Sequence, residues 1–137
     1  MKTVSLILLT AALSAFGLQT DSDQRIQKAQ SAAEQWLKLV DSGDYDQSWQ
    51  TASEMFKSKV TKEQWDKSIQ ATRSPFGQVL SRKLKKATYA DHLPGAPDGD
   101  YVVIQYETSF EHKKTAVETV TPMLDNGEWK VSGYFIR

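Results

Sequence analysis

The chain has 137 residues, 39% of them hydrophobic, with 17 Lys plus Arg against 17 Asp plus Glu and no cysteine. That length suits one domain able to bury a core of its own, and a formal net charge of zero supplies no overall field to draw the chain onto nucleic acid or an anionic membrane. Without cysteine there is no disulfide, no thiolate metal site and no lipid attachment at a cysteine.

In chain order, Met1-Lys2, an apolar run from Val4 to Leu13 and small residues around Ala15-Phe16-Gly17 follow the charged, apolar, small-residue order of a secretory signal peptide. Residues 1–17 are therefore read as a leader, the alternative being an uncleaved N-terminal anchor. The apolar run falls short of the roughly 20 residues of a membrane span, and no later stretch is a second candidate. The expectation is a single domain over residues 18–137, exported to the periplasm or beyond, with no membrane span after signal removal.

Ile26, Ala29, Ala33, Trp36, Leu37 and Val40 lie on one stripe of a 3.6-residue period, which predicts an amphipathic helix capped by Asp21 or Asp23 and ended by Asp41-Ser42-Gly43. Asp44 with Gln47 predicts a cap for a short second helix burying Tyr45, Trp49 and Ala52. Thr61-Lys62-Glu63-Gln64, flanked by Val60 and Trp65, predicts a capping box and staple for a third helix, which Pro75 stops near Arg73 or Ser74. After Gly77 the period becomes alternating, and strands are predicted at 78–89, 101–111, 115–124 and 128–137. The first two are joined by the loop at 92–100, the next pair by a turn at His112-Lys113 and the last pair by a type I′ turn at Asn126-Gly127. Three helices followed by an antiparallel meander make an α+β fold.

These turns set a register in which Tyr106 lies opposite Thr119, Glu107 opposite Glu118, and Thr119 opposite Tyr134. One face then carries Val102, Ile104, Tyr106, Phe110, Val117, Met123, Tyr134 and Ile136, and the other Val103, Val120, Leu124, Trp129, Val131 and Phe135. Three helices cover one apolar face, so the second invites the chain's own loops or a homodimer through the sheet. A bulge at Gly133 would exchange the faces.

Directly opposed, Glu107 and Glu118 form the one paired-carboxylate candidate, which needs a cation or a shared proton and which, in an apolar cavity, can serve as general acid or base. The simpler reading leaves both at a solvated surface or neutralised by Arg82, Lys83, Lys85 or Lys86. The basic run Arg82-Lys83-x-Lys85-Lys86 offers an anion-binding stripe, but alternation divides it between two faces, and the simpler reading is a guarded edge strand. His92 and His112 fall in turns without ligand spacing, no serine sits in a nucleophile elbow, and Trp36, Trp49, Trp65 and Trp129 read as core. No metal or other cofactor is expected.

The stretches AAEQWLKLVDSGDYDQSW, LPGAPDGDYVVIQYETSFEHK, AVETVTPM and WKVSGYFIR resemble the bacterial exported family called domain of unknown function 4019, over nearly the whole segment after the leader. The resemblance carries no catalytic or binding residues with it. By analogy the architecture is similar to the cystatin-like or nuclear-transport-factor-2-like cone, whose members include isomerases, dehydratases, binding proteins and dimerisation modules, so the fold does not choose among functions. The leading expectation is a non-catalytic ligand-binding or protein-interaction module of the cell envelope, its partner a small molecule or an envelope protein, with Tyr106, Thr119 and Tyr134 facing a pocket. The alternatives are an acid-base enzyme using Glu107 or Glu118 with a tyrosine, and a purely structural dimer.

Overall fold

The computed structural model describes the backbone of residues 13–137 and the side chains of residues 21–137. The leader expected over residues 1–17 therefore lies mostly outside the described residues. Helix α1 runs from Leu13 to Asp41, so Asp21 and Asp23 sit inside it rather than capping it. Once a helix is nucleated each further residue adds a hydrogen bond at little cost, and the residues before Asp21 simply continue it. The expected stripe is the buried one: Ala29, Ala33, Trp36, Leu37 and Val40 are buried and Ile26 is packed against them. Among the described residues no helix is long and apolar enough to cross a membrane.

Gly43, at φ 78°, turns the chain into α2, Tyr45–Gln50, whose first turn is capped by the Asp44 carboxylate accepting from the Gln47 amide at 3.3 Å. A short helix the periodicity does not reveal follows. This α3, Glu54–Lys59, is capped by Ser53 and buries Phe56 alone, too little to write a period into the sequence. The predicted capping box is present in full at the start of α4, Lys62–Arg73, with Thr61 and Gln64 exchanging hydrogen bonds, and a 3-10 turn over Ser74–Phe76 carries Pro75. Among the described residues the helical layer thus has four α-helices where three were expected.

The strands are β1, Val79–Ala90; β2, Tyr101–Phe110; β3, Lys113–Asp125; and β4, Glu128–Ile136. They form an antiparallel sheet in the order β1-β2-β3-β4, with α1 touching all four strands, which is the expected α+β architecture. Asn126 (φ 51°) and Gly127 (φ 81°) make the predicted turn.

The register between β2 and β3 departs from expectation. The turn residues are Glu111 and His112, one position earlier than predicted, and an irregularity between Thr108 and Phe110 shifts the ladder again. Tyr106 is consequently paired with Glu118, and Glu107 with Val117. Between β3 and β4 the predicted pairing holds from Asp125 to Pro122. A bulge on β4 around Ser132 and Gly133 then places Val120 opposite Tyr134 and Thr119 opposite Phe135. The faces sort accordingly: Val102, Ile104, Tyr106, Val120, Val131, Trp129 and Tyr134 all join the core beneath the helices. By alternation Val103, Val117, Met123 and Phe135 point to the outer face, among Lys83, Gln105, Glu107 and Thr119, so that face is mixed rather than apolar.

Candidate functional site

On the helix-facing side, the middle of β3 places Glu118 beneath the helices with no exposure at all. A buried carboxylate must be paired and hydrogen-bonded to remain there, and this one is. Arg82 of β1 reaches across β2 and donates through Nε to Oε1 at 2.7 Å and through a terminal nitrogen to Oε2 at 3.2 Å. The Thr108 hydroxyl donates to Oε1 at 2.5 Å, and the Tyr134 hydroxyl donates to Oε2. Arg82 also donates to both carboxylate oxygens of Asp41, at 2.8 and 3.1 Å, and Arg73 donates to Asp41 Oδ1 at 2.8 Å while its guanidinium lies 5.0 Å over the Phe110 ring. Two guanidinium groups and two carboxylates thus form one chain of charge, Arg73-Asp41-Arg82-Glu118, that sums to zero. It ties the end of α1, the end of α4, and strands β1 and β3 at one point.

The titration of these groups follows from their surroundings. Burial alone would raise Asp41, but the hydrogen bonds and charges of Arg82 and then Arg73 outweigh it and hold its pKa below the ordinary 3.8. Burial works against the Arg82 charge, yet its bonds to Asp41 and Glu118 push its pKa upward. Burial raises Tyr106 to about 12, with Glu34 adding to it, and burial together with the Glu118 carboxylate raises Tyr134 further.

The signs give a pH profile. A depressed carboxylate contributes stability that is present above its unfolded value and lost as pH falls through the folded one; a raised tyrosine contributes stability that is present below its unfolded value and lost as pH climbs through the folded one. Stability should therefore be level between about pH 5 and 9, fall below about pH 4 as Asp41 takes up its proton, and fall again between about pH 10 and 12. Urea midpoints across that range measure it. A midpoint unchanged from pH 9 to 12, with Tyr106→Phe and Tyr134→Phe behaving as wild type, would show that neither phenol is held neutral by the fold.

The residues singled out from the sequence are divided by this arrangement. Glu118 and Tyr134 meet directly, and Tyr106 lies on the same face, its hydroxyl buried without a partner. Thr119 points to the opposite face, 5% exposed, its hydroxyl also without a partner. Glu107 is on that opposite face and exposed, so the paired carboxylates do not exist: one residue of register separates them onto two sides of the sheet. A cleft of about 190 Å³ between α4 and β4 reaches Tyr134 alongside Trp65, Ser68 and Thr72, but Glu118 does not line it.

On the outer face the structure assembles residues that alternation separates. A bulge between Leu84 and Lys86 inserts Lys85, after which Lys86 pairs with Gln105 and so turns outward with Lys83. At the start of β3, Lys114 and Thr115 together oppose Ser109, and both turn outward too. The result is a groove of about 490 Å³ across β1, β2 and β3, lined by Lys83, Lys85 and Lys114, the single carboxylate Glu107, and the hydroxyls of Ser81, Ser109 and Thr115. A second hollow of about 290 Å³, bordered by Lys86, Thr88, Val103 and Gln105, occupies the same face. Bulges leave no mark in the hydrophobic pattern, whereas the basic run itself is plain to see.

Among the described residues no group of His, Asp and Glu is arranged to hold a metal ion. His92 is exposed beside Asp91, and His112 occupies the β2–β3 turn. Trp36 and Trp65 are buried and Trp49 and Trp129 half-buried against the core.

The profile of the family described as "Protein of unknown function (DUF4019)" matches residues 32–134, a segment that includes the whole charge chain and both outer-face hollows. No curated protein matches the chain.

Proposed function

For a chain that belongs to the DUF4019 family, we propose an exported, non-catalytic module that binds a small ligand on the outer face of its sheet. The observation that carries this reading is the contrast between the two faces. Beneath the helices Arg73, Asp41, Arg82 and Glu118 are engaged with one another, with two buried nitrogens of the Arg73 guanidinium left without a partner. Outside, a groove of about 490 Å³ is open, within the range of small-molecule sites, and several polar side chains converge on it. Export is supported by the order of Met1-Lys2, the apolar run and the small residues that follow.

One preparation tests both parts. Protein recovered from the envelope of the producing cell should have an intact mass lacking roughly the first 17 residues, the span a signal sequence of this form occupies. Fragments from a small-molecule library should then shift the amide resonances of Ser81, Lys83, Glu107, Ser109 and Val117. Retention of Met1 on protein found in the cytoplasm rather than the envelope would remove the exported reading, and fragment shifts that avoid the sheet face would remove the binding reading.

A second reading, acid-base catalysis, has one observation in its favour: a buried carboxylate hydrogen-bonded to a tyrosine that borders a cleft. It expects the same fragments to perturb Trp65, Ser68, Thr72 and Tyr134 instead, with the outer face silent.

A further inference from the structure

Resting on that reading of the outer face, we infer that the ligand is a soluble anion carrying two or more phosphate or carboxylate groups, held by Lys83, Lys85, Lys86 and Lys114. Four ammonium groups face one carboxylate, Glu107, in a chain whose formal net charge is zero as a whole. Among the described residues none of these lysines lies within ion-pair distance of a carboxylate, as also holds for Lys28, Lys38, Lys59, Lys67 and Lys113. What sets the four apart is that they are gathered on one face of the sheet.

Guarding of an exposed edge accounts for lysines on β1. It does not account for Lys114, which belongs to β3, an interior strand, and reaches the same groove because a bulge turns it there. Two bulges on two strands thus bring Lys85 and Lys114 to one hollow, with Lys86 bordering the neighbouring one.

The register also sets the spacing. Ser81 and Ser109 form one cross-strand row, Lys83, Glu107 and Val117 the next, and Lys86, Gln105 and Thr119 the third. Alternate residues along a strand are roughly 7 Å apart, so ammonium groups recur at about that interval, with hydroxyl donors at one end. A single small anion meets one row. An anion with several charged groups meets two rows at once, and its second contact is made at high effective concentration. The groove is concave, with its charges inside it, which suits a ligand that enters rather than a flat lipid leaflet.

Glu107 gives the proposal a signature of opposite sign. It repels an anion in the groove, so its neutralisation should strengthen binding while loss of the lysines weakens it. The protein as recovered from cells is titrated with tripolyphosphate by calorimetry at low and moderate salt, with orthophosphate as the single-phosphate control and phosphatidylglycerol vesicles as the membrane control. Tripolyphosphate should bind at least about tenfold more tightly than orthophosphate, and moderate salt should weaken it by a similar factor. Lys85→Glu with Lys114→Glu should abolish the heat, and Glu107→Gln should tighten binding by about threefold. Lys85→Gln with Lys114→Gln, gentler in charge, guards against a folding defect, and unchanged melting of all variants confirms the fold.

The proposal is overturned if tripolyphosphate binds no better than orthophosphate, if Glu107→Gln weakens binding, or if only the vesicles are bound. Should fragments without negative charge map to the groove while tripolyphosphate does not bind, the anion assignment fails and the binding module stands. Should neither bind, both fail.

Discussion

Replacing Arg82 with alanine should cost about 3–5 kcal/mol of folding stability, the usual loss when one member of a buried ion pair is removed and its partner stays behind. The partners here are two. Glu118, wholly buried, would keep the hydroxyls of Thr108 and Tyr134 but lose its cation, and Asp41 would be left with Arg73 alone. Domains of this kind are stable by about 5–15 kcal/mol, so the variant should be partly unfolded at moderate temperature. Arg82→Lys keeps the charge but not the fork that spans two carboxylates, and should fall between alanine and wild type. The double variant Arg82→Met with Glu118→Leu, which removes both charges together, should recover most of the loss. Urea titration followed by tryptophan fluorescence measures all three. A loss below about 1 kcal/mol for alanine would place Arg82 among ordinary surface pairs.

Trp36→Ala should be comparably severe, at about 3–5 kcal/mol, the range for truncating a large buried aromatic. Trp36 is 3% exposed, lies 5.8 Å from the Trp65 ring and 5.2 Å edge-on from Tyr134, and donates its indole N–H to the Ser48 carbonyl at 2.8 Å. Alanine would open a cavity between α1, α4 and β4 and orphan that carbonyl. Because Tyr134 loses its neighbour too, its contact with Glu118 should loosen. Trp36→Phe, which restores most of the ring, should recover more than half of the stability, and thermal melts report both. Equal melting of the phenylalanine and alanine variants would mean that the hydrogen bond, not the filled volume, carries the effect.

The elements that periodicity and caps announce were legible from the sequence. The stripe from Ile26 to Val40, the Thr61–Gln64 box and the Asn126-Gly127 turn each write a local signal because the residues that create the structure are neighbours in the chain. What could not be read has a common cause. A turn placed one residue early and bulges in β1, β3 and β4 each change which face a side chain takes, and a bulge depends on cross-strand fit that no local pattern encodes. Glu107 and Glu118 therefore exchanged the role of partners for opposite sides of a sheet, and Lys86 moved outward to join Lys83. Arg82, which in sequence belongs to a basic run, is held inside by carboxylates contributed from 41 positions upstream and 36 positions downstream. The bulge at Gly133, by contrast, did show itself, since glycine within an otherwise good strand is an invitation to one.

The charge chain also has a bearing on vectorial synthesis. Asp41 precedes both arginines in the chain, while Glu118 follows them. A nascent or truncated polypeptide ending within the β2–β3 turn holds Arg73, Arg82 and Asp41 but not yet the second carboxylate, leaving one uncompensated positive charge at the point where four elements must meet. Closing the interior of such a fragment around Arg82 would bury an excess positive charge. Only when β3 arrives does the sum reach zero, and only with β4 does the Tyr134 hydroxyl complete the coordination of Glu118. Burial of this point is therefore electrically balanced only in a chain that includes β3.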